Sequence, residues 1–134
     1  MNFEDWSDAH LLTIAAKALQ SQAAEYLKGL GLPRLGLYIL EHLADRSPIL
    51  QSELAGMVMA RTQTIGPILS RLEHQQWVTR KHGLSHNQVS VAITDQGRNV
   101  LASTQKHLRT LQPSLDIDPL RPFLQAIIKH ATHG

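Results

Sequence analysis

The sequence predicts a mainly α fold carrying one small β hairpin. Apolar residues recur at spacings of three and four over most of the chain, and the period shortens to two only between Trp77 and Ile93. Size agrees: 134 residues, 43% of them hydrophobic and 18% charged, suffice for one unit with a real core.

The elements follow in order. Residues 8–28 carry Leu12, Ala15, Ala16, Leu19, Ala23, Tyr26 and Leu27 as a helical stripe, which Ser7 caps and Gly29 and Gly31 end. Pro33 suits a first helical turn, and Leu35, Ile39, Leu40 and Leu43 form the next stripe. Asp45-Arg46-Ser47-Pro48 is a break, and Ile49-Leu50 is long enough only for a stub of strand. A short helix at 51–58 places Glu53 in its first turn, favourable at the positive end of the helix dipole. Ala60 to Gln63 reads as a turn into a helix with an apolar face of Ile65, Ile68, Leu69 and Leu72. Trp77 to Lys81 is a strand, Val89, Val91 and Ile93 alternate on a second, and the turn between holds one glycine, Gly83. Thr94 caps a helix along Leu101, Thr104, Leu108 and Leu111 that Pro113 stops. Asp118-Pro119 starts the last helix, striped by Leu120, Phe123, Leu124, Ile127, Ile128 and Ala131. The two terminal stripes are long for the small middle. Either they pack against a second chain or they close the core of one.

Composition excludes several chemistries. With no cysteine there is no disulfide, thiolate zinc site, iron–sulfur cluster or thiol redox sensor. The longest run free of polar side chains, Leu54 to Ala60, is far below the roughly 20 residues of a membrane helix. The acidic start (Glu4, Asp5, Asp8) is unlike a signal peptide, so the expected compartment is the cytoplasm, with no membrane partner. Neither a glycine-rich phosphate loop nor a nucleophile with a spaced partner is present, so no enzyme is expected. The 8 histidines include the spaced pairs His82/His86 and His130/His133, the first in a turn and the second on a fraying end. Neither has a carboxylate close by, and no metal or cofactor is expected.

The order helix, short helix, helix, strand, turn, strand is that of a winged helix-turn-helix, whose second motif helix enters the DNA major groove. Such a helix needs an apolar back, here Ile65, Leu69 and Leu72, and a small or polar front, here Gln63, Gly66, Pro67, Ser70 and His74. It also needs cations nearby. Residues 61–82 hold Arg61, Arg71, Arg80 and Lys81 against Glu73 alone, so the formal +2 of the chain is a +3 segment on a slightly acidic remainder. Solvated surface charge is the plain alternative.

In this order and spacing the chain resembles the multiple antibiotic resistance regulator (MarR) family. The segments that carry the resemblance are Leu32-Pro33-Arg34-Leu35-Gly36-Leu37-Tyr38-Ile39-Leu40, Gln51-Ser52-Glu53-Leu54-Ala55, residues 64–73, Trp77-Val78-Thr79-Arg80 and residues 91–97. The resemblance implies a homodimeric, ligand-responsive repressor on double-stranded DNA. Residues 1–30 and 112–134 would be dimerisation helices around a winged-helix core at 31–100, within one domain spanning 1–134. It also implies a small aromatic or anionic effector near the junction of dimer and DNA-binding parts. Trp6, Tyr26, Arg34 and Tyr38 are candidates to line that pocket, Arg34 suiting a carboxylate; dimer packing for the aromatics and plain surface for Arg34 is the alternative.

Gln63, Thr64, Gly66, Pro67 and Ser70 are expected to face bases, and Arg61, Arg71, Arg80, Lys81, His82, His86 and Asn87 to hold phosphates or form the wing. The reading helix looks closest to the organic-hydroperoxide regulators, whose reactive cysteine is missing here. Ser85 and Asn87 stand where the family's wing carries Asp-x-Arg, Leu50 where a capping threonine is usual, and Gln76 where glycine is common. The weakened wing leaves a second reading open: a winged-helix protein-interaction module, or a sensor with weak or no DNA binding.

Overall fold

The computed structural model describes residues 2–83, 85, 88–111 and 116–133. Six helices and a small sheet alternate along the described chain: α1 (Asp8–Leu30), α2 (Arg34–Asp45), β1 (Ile49–Leu50), α3 (Gln51–Met57), α4 (Thr62–His74), β2 (Val78–His82), β3 (Val89–Ile93), α5 (Asp95–Leu111), a 3-10 turn (Asp118–Leu120) and α6 (Arg121–His133). The fold is mainly α with a small wing sheet, as the periodicity predicts.

Several boundaries differ, each for a local reason. Gly29 lies inside α1, and Gly31, at φ 71°, ends it. Pro33 is the N-cap of α2, with extended backbone, and not part of its first turn. Helix α4 starts at Thr62, so Gln63 belongs to the helix and not to the turn before it. At the C-terminal end Asp118-Pro119 form a 3-10 turn, and α6 begins only at Arg121. Pro113 lies outside the described residues.

Helices α1, α3 and α4 end in the same way. After each last turn, one residue adopts positive φ and the next N–H reaches back five residues: Leu32 to the Leu27 carbonyl, Ala60 to Ala55, Trp77 to Leu72. Glycine fills that position only after α1. After α3 it is Met59, at φ 52°, and after α4 it is Gln76, at φ 65°.

The stub Ile49-Leu50 becomes an edge of the sheet. It pairs antiparallel with β3, Ile49 opposite Val91, and β3 pairs with β2 from Val78–Ile93 to His82–Val89. The strand order is therefore β1-β3-β2. The core lies between this sheet and α2, α3 and α4, where Ile39, Leu40, Leu43, Leu54, Ile65, Leu69, Leu72, Val78 and Val91 are buried. Thr94 fastens α5 to it: its hydroxyl donates to the Gln76 carbonyl at 2.6 Å and accepts from the Gly97 N–H at 2.9 Å. A Cβ at Gly97 would collide with the Trp77 carbonyl, so only glycine fits there.

The chain ends are different. Only Ala23 and Leu27 of α1 are buried, and no described residue of α6 is. Leu11, Leu12, Ile14 and Leu19 on α1, and Phe123, Ile127 and Ile128 on α6, stay exposed. Only the C-terminal part of the α1 stripe, Ala23, Tyr26 and Leu27, joins this chain's own core; the rest of α1 and the α6 stripe do not close it.

Left-handed backbone costs a non-glycine residue about 1–2 kcal/mol, whereas glycine gives back only part of that in chain entropy. Gln76→Gly is therefore expected to stabilise the fold by up to about 1 kcal/mol, read from the urea midpoint followed by circular dichroism. A lower midpoint would mean that the Gln76 side chain contributes more than its backbone costs.

Candidate nucleic-acid interface and an adjoining cleft

The site is built on α4. Its buried back, Ile65, Leu69 and Leu72, locks the helix against the core, and its rotation is set by that contact. At 100° per residue, Gln63, Gly66, Pro67, Ser70 and His74 then share the outward face. Of these, Gln63, Pro67, Ser70 and His74 are exposed and Gly66 is half-buried. Thr64 does not join them. It stands about 100° from Gln63, on the flank it shares with Arg71, because successive helical residues cannot face the same way.

Pro67 is inside α4. It is beyond the first turn, so its missing N–H leaves the Gln63 carbonyl without its usual helical partner. Arg61 is the N-cap and makes no side-chain cap bond, so its guanidinium is not spent on the helix.

Arg80 is placed differently from the other cations. From β2 it reaches across to α4, donating to Glu73 Oε1 at 3.0 Å and to the Ser70 hydroxyl at 3.0 Å. Two residues expected to meet DNA thus engage one another. The Arg80 hydrogen bond holds the Glu73 carboxyl below the usual carboxylate range; burial opposes it, and the Arg80 charge adds to it. Sequence charge counting missed this pair because seven residues and a turn separate its members. Lys81 and His82 are exposed at the end of β2, and the Gly83 N–H donates to the Gln88 carbonyl at 2.6 Å where the wing turns. His86 and Asn87 lie outside the described residues.

The expected ligand residues divide. Arg34 and Tyr38 do line one cleft, of about 220 Å³, between α1, α2 and α5. Trp6 and Tyr26 do not. They flank almost the whole length of α1, about 30 Å apart at 1.5 Å per residue, too far for one small pocket. Trp6 instead stacks on His10 at 4.1 Å, and Tyr26 on His107 of α5 at 3.9 Å. The cleft contains a residue that sequence reasoning passed over, Glu41, whose carboxyl is pushed up by burial. Its helical spacing of seven from Arg34 was the available signal. Among the described residues, no three His, Asp or Glu side chains gather where one metal ion would bind. No described helix is long and apolar enough to cross a membrane.

No family model matches the sequence, and no curated protein does. Solved structures do match over nearly the full chain. A MarR-family transcriptional regulator from Silicibacter pomeroyi superposes with a TM-score of 0.77 at 17% identity, covering 98% of this chain and 92% of that one. The chain has the MarR-type winged-helix fold. Reduced AbfR bound to DNA shares the MarR-type architecture, with a TM-score of 0.74 at 20% identity over 93% of this chain and 92% of its own. NadR in complex with 4-hydroxyphenylacetate does too, at 0.73 and 18% identity, over 98% and 96%.

Within this MarR-type frame the Glu73–Arg80 tie is exposed, and exposed pairs are worth about 0–1 kcal/mol. A lowered carboxylate pKa stabilises the fold above the unfolded value, and that contribution is lost as pH falls through the folded one. Urea unfolding of the wild type and Glu73→Gln from neutral to acidic pH should differ by less than about 1 kcal/mol at neutrality. The gap should close as the pH falls. A gap that widened on acidification would show that Glu73 is not held by Arg80.

Proposed function

We propose that the chain is a sequence-specific DNA-binding transcriptional regulator, a cytoplasmic repressor and not an enzyme, that acts as a homodimer and releases DNA when a small molecule binds. The observation that carries this reading is the two-sided character of α4. Its back is fully buried, and its front offers Gln63, Pro67 and Ser70 to solvent, with Arg61, Lys81 and His82 within the same motif. A helix pinned by its apolar side and exposed along its polar side is the shape that enters a major groove.

Gln63 suits a bidentate contact to adenine, and Pro67 a thymine methyl. Gly66 lets the backbone approach, and Thr64 and Arg71 serve from the flank. Arg80 reaches a phosphate by exchanging Glu73 for it, while Lys81 and His82 hold the backbone beside the wing. His86 and Asn87, with Lys81 and His82, would substitute in part for the missing wing arginine.

The exposed apolar faces of α1 and α6 support the homodimer, since a second copy would cover both at once. Residues 1–30 and 112–134 are then dimerisation segments around the 31–100 core. The cleft beside Arg34 and Tyr38 is the proposed effector site; NadR, of the same fold, is known with an aromatic acid bound. AbfR structures include disulfide-formed and overoxidised states, but a chain without cysteine cannot use that trigger.

Binding isotherms on the DNA upstream of its own gene and on a scrambled duplex, at several salt concentrations, test the reading. Two chains should bind per site, with affinity falling steeply as salt rises. Gln63→Ala should remove about 1–3 kcal/mol of discrimination between the duplexes, and Lys81→Ala should weaken both alike and flatten the salt slope. No binding at low salt would favour a protein-interaction module. Equal losses on both duplexes for Gln63→Ala would refute its base-reading role.

A further inference from the structure

The cleft between α1, α2 and α5 is lined along α2 by Arg34, Leu37, Tyr38 and Glu41. These occupy helical positions i, i+3, i+4 and i+7, one continuous stripe. A cation stands at one end and an acid at the other, with Cα atoms about 10 Å apart along the axis. Leu37 and Tyr38 fill the interval, faced by Leu108 of α5. The α2 wall is therefore dipolar along its length with Leu37 and Tyr38 between its charges, and Gln20 and Gln22 of α1 share the lining. Arg34 and Glu41 are its only charged lining residues among those described.

The Arg34 end is held in place. One Arg34 nitrogen donates to the Gln20 carbonyl of α1 at 2.7 Å, which aims the guanidinium and leaves its other N–H groups to donate elsewhere. Glu41 makes no ion pair among the described residues. Glu41 is exposed on the cleft lining, and the partial desolvation it meets there disfavours its charge. A cation brought there restores what desolvation removes.

We propose that the cleft binds an ω-amino acid: a small molecule with a carboxylate at one end for Arg34, an ammonium at the other for Glu41, and a ring or short methylene chain between. A simple aromatic acid would satisfy Arg34 and leave Glu41 uncompensated. An α-amino acid carries both charges on one carbon and cannot span the stripe. The proposal rests on reading this cleft as the effector site, yet it is tested on the chain alone, without DNA, so neither result decides the other.

The test is calorimetric titration of the intact protein with 4-(aminomethyl)benzoate, 4-methylbenzoate, 4-methylbenzylamine and phenylalanine. The first should bind at least tenfold tighter than each of the others. Glu41→Gln should remove that advantage and leave 4-methylbenzoate binding unchanged, with an unaltered thermal midpoint showing that the fold is intact. Should the variant fail to fold, the wild-type ranking still decides. Equal binding of 4-methylbenzoate and the bifunctional probe would overturn the proposal, as would equal binding of phenylalanine, or saturation by none of the four.

Discussion

The burial of one side of α4 governs the rest of the molecule. Ile65, Leu69 and Leu72 are each completely buried, and side chains of this size contribute roughly 1.5–3 kcal/mol apiece when removed from water. That energy fixes the helix's rotation and height on the core, and so decides which residues it shows to solvent. The sheet depends on the same contact. Trp77 leaves α4 through a bond back to Leu72, Val78 enters the core beside it, and the two strands run outward together from there. The wing is thereby aimed by the seating of the reading helix.

Much of this was legible in the sequence, because burial leaves a periodic trace. The stripes of α2, α4 and α5 and the alternation of β3 mark which residues face inward, and the change of period locates the hairpin. The Thr94 cap was readable for the same reason: a short polar side chain in front of an amphipathic helix has one obvious use. The positive φ of Gln76 was foreshadowed by the family resemblance, since glycine is common at its position there. Met59 was not, since methionine carries no signal of left-handed backbone, and only the bond from Ala60 back to Ala55 reveals it.

Electrostatics was the least legible layer. Composition counts charges but does not say which ones face each other. Arg80 entered the sequence reading as a free phosphate ligand, and the fold places it against Glu73 and Ser70. Glu41 drew no notice as one acid on an amphipathic helix, until the fold set it with Arg34 on the lining of one cleft. Trp6 and Tyr26 were grouped with Arg34 by chemical type, and the length of α1 separates them. In each case the deciding quantity is a distance between elements, which local pattern does not contain.

The cleft and the outward face of α4 are joined through α2. Arg34 opens that helix and Glu41 sits near its end, while Ile39, Leu40 and Leu43 on its other side belong to the core that seats α4. A ligand that pulled on α2 would therefore act on the seating of the reading helix itself. The central claim is that the face opposite Ile65, Leu69 and Leu72 is where DNA lies. Backbone amide shifts followed while the duplex from upstream of the gene is added test it most directly. The account predicts the largest early changes at Gln63, Gly66 and Ser70 of α4 and at Lys81 to Gly83 of the wing; changes confined to α1 and α6, with α4 silent, would contradict it.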